Sequence, residues 1–550
     1  MKLTKQLKTS NSKSNKASIR IIGIMLVLTL CFSSLVGCQS KKPINNKQDT
    51  EEEIVDLSWY INFSWFNTKW GGNVVSDAIT KKMGVNVDFV TPSGDSFEKM
   101  QAMIDSDSLP DLITLGWWES HISQLIDNEL VYPLDELADE YDPYFWEVTN
   151  EQQINWYTSE NGHIYQYPNS SFSPSDYEQY DNLASNVTFL VRKDMYEAIG
   201  SPDMTTPEGF INAVEKAAEM FPEVDGKEMI PVGSHEFNER GCDSFDGFLL
   251  DFLAVPYMED GVACDRLLDD DYVTWLKAYR ELGAKGLLKD DIFVDSRTQM
   301  EEKIAEGRYF CMIYQRTDLE QAEMSLYNKN PDSVYIAIDG PKNSKGDDYK
   351  LPGTSINGWT VTLISKNCKY PEKAIKLMSY LISEEGQLMT WLGVEGVTWD
   401  KDSEGIPRMK PEVQELLDTD RTAFDNQYGA DSCYWMFQND AMASQWIEED
   451  ESSPLTQLKK WTYPYTTYVG QYTVTLDATS ETGILKDGAD SAWGTVLPQL
   501  LLASSEEEFD IIYADFVKER YETYKYQQVL DEMTVKMKEN MTKLGITDEE

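Results

Sequence analysis

Histidine is almost missing from this chain of 550 residues. The three present, His121, His163 and His235, stand far apart with no second histidine at helical spacing. Metal catalysis built on imidazole therefore finds no support. Cysteine is scarce as well. Of the 7, Cys31 and Cys38 lie near the N-terminus, leaving Cys242, Cys264, Cys311, Cys368 and Cys433. An odd remainder with wide, irregular spacing is neither a disulfide framework nor a zinc pattern. A Cys242 to Cys264 bridge is the one pairing left open, and the others read as buried small apolar side chains. Basic residues are outnumbered, 48 Lys and Arg against 95 Asp and Glu for a net charge of -47. A nucleic-acid phosphate backbone would be repelled, so that partner class is excluded. The carboxylates read instead as a solvated surface that keeps the protein soluble beside an anionic envelope. No Gly-x-Ser-x-Gly elbow and no phosphate-cradling Walker loop occurs, which removes the usual esterase and nucleotide-hydrolase signatures.

What is present begins with Lys2, Lys5, Lys8, Lys13, Lys16 and Arg20, followed by a largely apolar run from Ile21 to Phe32. These are the n- and h-regions of a secretory signal. A spanning helix needs about 20 apolar residues, and Ser33 and Ser34 end this run early. Leu35-Val36-Gly37-Cys38 resembles the lipobox of exported bacterial lipoproteins. That resemblance implies that residues 1–37 are a signal peptide, and that Cys38 is diacylated (palmitate-type chains) and becomes the mature N-terminus. The protein would then be anchored to the extracellular face of the cell membrane rather than spanning it. An ordinary cleaved signal and a short uncleaved anchor are the alternatives. Residues 38–53 are polar and without periodicity, a flexible tether.

Beyond the tether, Ile54 to Ile61 reads as a strand running into a loop at Asn62 and Gly71-Gly72. Val74, Val75, Ala78, Ile79 and Met83 share one helical face, with Gly84 placed as the stop. Val85, Val87 and Phe89 alternate as a second strand. Phe97, Met100, Met103 and Ile104 mark a second helix, and Asp111 to Leu115 a third strand ended by Gly116. This alternation predicts a βαβα unit with a parallel sheet. Such sheets bind ligands outside the carboxyl ends of their strands. Two of those ends are aromatic: Trp59, Asn62, Phe63 and Trp65 at the first, and Trp117-Trp118-Glu119 at the third. Any single ring there can equally be core packing. Adjacent Trp117 and Trp118 cannot easily both point inward, so at least one is expected to face a cleft.

Several short elements then follow in a fixed order: Gly162 to Pro168, Asn186 to Asp194, Thr205-Thr206-Pro207-Glu208, Gly307 to Met312, Gly358 to Val361 with Pro371 to Ile375, and Ser383 to Gln387. In that order they resemble the bacterial extracellular solute-binding proteins of the maltose-binding (family 1) type. Gly393 to Trp399 is similar to the ending seen in the LipO-like lipoprotein branch of ABC-transporter proteins. The resemblance spans about Asp56 to Trp399. It implies an α/β, two-lobed periplasmic-binding-protein-like fold with a hinge and an inter-lobe ligand cleft. Residues 54–185, with a return segment at about 354–392, are expected as lobe 1, and residues 186–353, with about 393–550, as lobe 2. Crossings are expected near Ser185, between Pro341 and Pro352, and at Gly393. One element also makes sense without the resemblance: Thr206 can cap a helix that has Pro207 at its first position and buries Phe210, Val214 and Ala217. One departs from the relatives. Some carry an Asp/Asn-rich calcium loop where this chain has Phe221 to Glu228, in which only Asp225 and Gly226 suit the purpose. No metal and no cofactor is expected.

Function follows from the resemblance in the first instance. It implies a non-enzymatic, monomeric receptor that captures an oligosaccharide or glycoside and delivers it to the permease subunits of an ABC importer. Aromatic faces suit sugar rings, and carboxylates and amides suit their hydroxyls. The expected ligand-binding residues are Trp59, Asn62, Trp65, Trp117, Trp118 and Glu119, joined by Tyr314, Gln315, Asn357, Trp359 and Trp435 from later family positions and aromatic loops. Arg316 is a candidate partner for a ligand carboxylate or a surface salt-bridge residue. An exported glycoside hydrolase, which needs two carboxylates facing one bond, and a structural surface lipoprotein are the competing classes. Anchoring has a direct test: Cys38→Ala is expected to abolish lipid attachment and release the protein. Persistence of the variant in high-salt-washed membranes would contradict the lipidation reading.

Overall fold

Nine strands build the two main sheets of a computed structural model that describes residues 54–93 and 96–546: β1 (Val55–Ile61), β2 (Val85–Val90), β3 (Leu112–Gly116), β4 (Tyr167–Pro168), β5 (Val187–Arg192), β6 (Ile230–Gly233), β7 (Tyr309–Gln315), β8 (Tyr335–Ala337) and β9 (Thr360–Ile364). The leader, Cys38 and the tether lie outside the described residues. The expected alternation is present at the start. Helix Val74–Met83 joins β1 to β2; Asn73 caps it by accepting from the Ser76 amide at 2.9 Å, and Gly84 ends it in the left-handed region at φ 64°. Helix Ser96–Asp105 then leads to β3.

The first sheet runs β2-β1-β3-β9-β4. Its β1 is parallel to β2 and β3, while β9, from far down the chain, pairs antiparallel with β3. The second runs β8-β5-β7-β6, with β6 and β7 parallel and β5 antiparallel to β7. Helix Pro207–Met220 covers it as the sequence predicts. Thr206 Oγ1 accepts from the Gly209 amide at 3.1 Å, and Phe210, Ile211, Val214 and Ala217 face the core. Each sheet has its own core, so the chain forms two α/β lobes.

The tail departs from expectation. Phe424, Tyr434, Met436 and Phe437 lie in the core of the first sheet with Leu57, Trp59 and Ile61, not with the second lobe. Aromatic geometry accounts for this: Phe437 meets Trp59 at 5.8 Å, and Tyr434 stacks on Phe89 at 6.2 Å and 20°. Gly393, expected as a crossing, sits between helix Glu384–Trp391 and the hairpin of Trp399–Lys401 with Pro407–Met409, beside that core. The chain reaches the second lobe only afterwards, where helix Pro454–Thr462 packs against β5 and β8, Gln457 bonding the Ala337 backbone and Leu458 entering the core. Helices Glu481–Leu501 and Glu506–Glu522 then bury Trp493, Leu497, Phe509 and Phe516 against the other face.

Three segments meet between the lobes. Leu351–Pro352 pairs in parallel with Thr466–Thr467, and the Gly353 amide donates to the Thr467 carbonyl at 2.9 Å. Ser185 Oγ donates to the Pro352 carbonyl at 2.7 Å and accepts from the Val187 amide at 3.1 Å, while the Ser185 amide donates to Thr466 Oγ1 at 2.9 Å. Arg316 is committed here too, its Nε donating to the Ser185 carbonyl at 2.9 Å. The described cysteines are all unpaired. Cys242 is buried with its thiol toward the His235 carbonyl, so the Cys242 to Cys264 bridge does not form.

Ser185→Ala removes a donor and an acceptor from this three-segment junction without changing the strands. Leaving the buried Val187 amide unpaired is expected to cost about 1–3 kcal/mol, read as a lowered urea midpoint with an unchanged slope.

Candidate functional site

The hinge fixes which ends of the sheets face each other. β9 begins at Thr360, opposite Gly116 at the end of β3, and β5 begins at Val187, opposite Gln315 at the end of β7. The inter-lobe segments therefore enter both sheets at the carboxyl ends of their parallel strands, where open α/β sheets take ligands.

At that end of the first sheet the aromatics form one platform. Trp65 is 56% exposed and lies nearly parallel to Trp359, at 5.9 Å between centroids and 7° between planes. Trp359 meets Trp435 at 4.5 Å, and Phe63 touches both Trp65 and Trp359 at 5.5 and 5.4 Å. Phe66 supports Trp435 edge-on at 5.7 Å. Beside this, Trp117 is half-buried and Trp118 is 56% exposed, with their rings edge-to-face at 6.0 Å. The two neighbouring rings thus do not both turn inward. Gly116 makes the arrangement possible, since a Cβ there would come within 2.6 Å of the Trp118 ring.

Polar groups hold the platform from below. Glu119 Oε1 accepts from the Gly116 amide at 2.8 Å, and its Oε2 accepts from Asn62 Nδ2 at 2.5 Å. Asn62 in turn accepts from the Tyr60 hydroxyl at 2.6 Å, and burial together with the nearby Glu119 carboxylate pushes that phenol well above its ordinary range. His121 lies buried behind Glu119, and desolvation lowers its pKa more than the carboxylate raises it. Asn169 is a second hub. Its Oδ1 accepts from the Thr360 amide at 2.7 Å and the Thr360 hydroxyl at 2.9 Å, and its Nδ2 donates to the Trp435 carbonyl at 3.0 Å. Its own carbonyl accepts from the Trp359 amide at 3.2 Å. Gly358 permits that approach at φ 64°, because a Cβ would lie 2.1 Å from the Asn169 oxygen.

Not every expected residue reaches the surface. Trp59 is fully buried, its indole N–H donated to Thr114 Oγ1 at 2.8 Å, because its strand position points into the core. Trp435 and Asn357 are largely buried, with Trp435 serving as the base under Trp359 and the Asn357 carbonyl accepting from the Tyr157 hydroxyl at 2.7 Å. At the matching end of the second sheet Tyr314 is fully buried, covered by the His235 ring stacked on it at 4.2 Å and 22°, while Gln315 is partly exposed at the start of helix Arg316–Lys329. Sequence reasoning noted Phe63 at the strand end but left it out of the expected ligand-binding set, and it missed the roles of Asn169 and His235. Phe63 carried a signal, since it lies between Asn62 and Trp65, whereas a lone asparagine or histidine carries none. Calcium does not fit the loop noted above. Glu223–Val224 and Lys227–Glu228 form a hairpin, and the turn's one carboxylate, Asp225, faces Lys329 at 2.6 Å. No described cluster of three or more His, Cys, Asp or Glu is placed to hold a metal.

A family model described as bacterial extracellular solute-binding protein matches residues 75–403. The chain belongs to that family. Among solved structures, this solute-binding protein is similar to the alginate-binding protein AlgQ2 crystallised without calcium ion (17% identity, TM-score 0.60, 88% of this chain and 98% of that one). It is similar also to the substrate-binding protein FusA of S. pneumoniae in complex with kestose (17%, 0.63, 89% and 99%). A third is an HMO-binding, ABC-transporter-associated protein from Bifidobacterium longum infantis (13%, 0.64, 88% and 98%). At these identities the likeness establishes the two-lobed fold. A search of curated proteins found no match. No described helix is long and apolar enough to cross a membrane.

Asn169→Ala tests how the platform is held. It strands the buried Thr360 amide and frees the Trp435 segment, with an expected loss of about 1–3 kcal/mol. Tryptophan emission of the folded variant is expected to shift to the red as Trp359 and Trp435 gain water, and unchanged emission would show that the ring stack holds without Asn169.

Proposed function

We propose that this solute-binding protein is the lipid-anchored receptor of an ABC importer. It captures an oligosaccharide or glycoside between its lobes and hands it to the permease without chemical change. The observation that supports this best is Trp65, exposed and stacked on Trp359 beside exposed Trp118, at the sheet end flanked by the hinge. Flat apolar rings next to amide and carboxylate groups match a sugar's two kinds of surface. The bound sugars named for the relatives with kestose and HMO point the same way. In this reading the first lobe comprises residues 54–185 and 354 to about 446, the second residues 186–353 and the chain from about 454, following the side chains that share each core. The ligand side of the cleft would be Trp65, Trp117, Trp118, Trp359 and Gln315, with Asn62 and Glu119 beneath. Glycoside hydrolysis is less well supported, because both oxygens of Glu119 already accept hydrogen bonds that hold the turn.

A melting-temperature screen over neutral and acidic oligosaccharides, kestose and alginate oligomers included, tests the reading. A ligand at about 100 times its Kd adds roughly 2.7 kcal/mol, and the sugar must be recovered uncleaved. Stacking one sugar face buries roughly 80 Å2 of ring, about 2 kcal/mol at ~25 cal/mol per Å2. Trp65→Ala and Trp117→Ala are each expected to weaken binding on the order of 30-fold in calorimetry, with the fold intact. A folded Trp117→Ala protein of unchanged affinity would place that ring outside the site.

A further inference from the structure

A recess of about 150 Å3 opens beside the aromatic platform, and its lining includes Trp65 and Trp435. A protein cavity of about that size holds benzene, so there is room for one six-membered ring. Asn67, in the loop after β1, lines it together with Arg421, Asp425 and Ser432 from far down the chain. The polar wall is fixed in place. Arg421 Nε donates to Asp425 Oδ1 at 2.8 Å, one terminal nitrogen donates to Asp431 Oδ2 at 2.7 Å, and the other donates to the Asp431 carbonyl at 3.0 Å. Asp431 reaches the guanidinium because the chain turns back there. Asp431 and Ser432 both adopt the left-handed region, at φ 48° and 62°, which costs energy in residues other than glycine and recurs at binding sites. Their amides hold the turn by donating to the carbonyls of Trp391 at 2.8 Å and Thr390 at 3.1 Å.

The wall keeps bonding capacity in reserve. A guanidinium has five N–H donors. Three are used among the described residues, which leaves one on each terminal nitrogen of Arg421, and Asp425 Oδ2 accepts no hydrogen bond from them. Charge then narrows the occupant. An anion, a uronate included, meets two carboxylates against a single guanidinium that is already paired with both, and a cation meets that guanidinium set between them. An apolar group would cover the free donors without satisfying them. Adjacent hydroxyls of an uncharged sugar fit, because one accepts from Arg421 while its neighbour donates to Asp425.

We propose that this recess is an end-binding subsite, which takes the terminal ring of an uncharged oligosaccharide whose next ring lies on Trp65. The assignment rests on the import reading above and narrows its ligand to neutral chains of two or more rings, gripped by one end. The terminal ring lies against Asn67 and Ser432, with two adjacent hydroxyls bonded to Arg421 and Asp425. Trp435 lines the recess and also underlies Trp359, so the terminal ring and the ring on Trp65 share one rigid support.

The experiment equilibrates the protein with size ladders from partial hydrolysis of neutral polysaccharides, a fructan, a mannan and a glucan, and with an alginate ladder as the acidic probe. Chains retained on ultrafiltration are identified by mass spectrometry. The protein is expected to retain chains of two or more units from a neutral ladder on the order of tenfold over the single sugar and over alginate oligomers. Asn67 is exposed and in no hydrogen bond among the described residues, so Asn67→Trp fills the recess without breaking one. Arg421→Ala removes the free donors. Each is expected to cut retention on the order of tenfold, with the melting temperature of ligand-free Asn67→Trp unchanged. A crystal structure with the best-retained chain is expected to show its terminal ring within hydrogen-bond distance of Arg421 and Asp425, a test that stands even where a variant fails to fold. Equal retention by folded Asn67→Trp, a terminal ring outside the recess, or preference for alginate oligomers overturns the subsite and leaves the import reading in place. Retention of no sugar at all overturns both.

Discussion

The buried amide of Asn169 is the constraint on which the candidate site depends. One side chain joins three pieces of chain that are remote in sequence: the end of β4, the start of β9 and the segment carrying Trp435. Each of its bonds is ordinary, about 1 kcal/mol net. Their joint effect is geometric, because the carbonyl of the same residue fixes the Trp359 amide and so the ring on which Trp65 lies. A stacking surface is useful to a receptor only if it is rigid before ligand arrives, since ordering long aromatic side chains during binding subtracts from affinity. Asn169 and the Glu119–Asn62 pair supply that rigidity from beneath, out of reach of solvent.

How much of this can be read from the amino acids divides along range. Local signals are reliable: Gly84 as a helix stop, Thr206 with Pro207 as a helix start, and the strand alternation at Val85, Val87 and Phe89 all correspond to the structure. The strand-end rule also brings out the exposed rings Trp65 and Trp118, because a neighbouring pair after a strand must split between core and surface. Trp59 fails by the same rule. It lies inside β1 rather than past its end, where alternation sends it into the core. The tail fails for a different reason. Nothing local distinguishes Phe424, Tyr434 and Phe437 from aromatics of a second-lobe segment; only the space left beside Trp59 and Phe89 decides.

The same long-range packing shapes the hinge. Two crossings suffice to join two lobes, yet here Thr466–Thr467 is laid in parallel beside Leu351–Pro352, with Ser185 bonded to both segments. Short paired strands bend as a unit more readily than they slide, so this narrow ladder restrains the lobes to bending rather than sliding. Arg316 belongs to this arrangement rather than to a ligand, since its guanidinium reaches the Ser185 carbonyl and sits within 3.9 Å of Glu320.

The last helix adds a restraint on that rotation. Tyr526–Leu544 buries Val529, Leu530 and Met537 in the second lobe, and Asn540 Nδ2 donates to the Gln471 and Thr473 carbonyls beside the hinge. Its carboxyl end then crosses to the first lobe, where Gln152 Nε2, on the helix beside β4, donates to the Leu544 carbonyl at 2.7 Å. The helix is rigid along its length, so opening about the Ser185 ladder must either break this end contact or tilt the whole helix on Ala489 and Ala263. The contact comprises this bond and a longer one from Lys543 Nζ to the Trp156 carbonyl at 3.5 Å, each of order 1 kcal/mol, weak against the binding energy of even a micromolar ligand at about 8 kcal/mol. It therefore restrains the angle between the lobes only weakly.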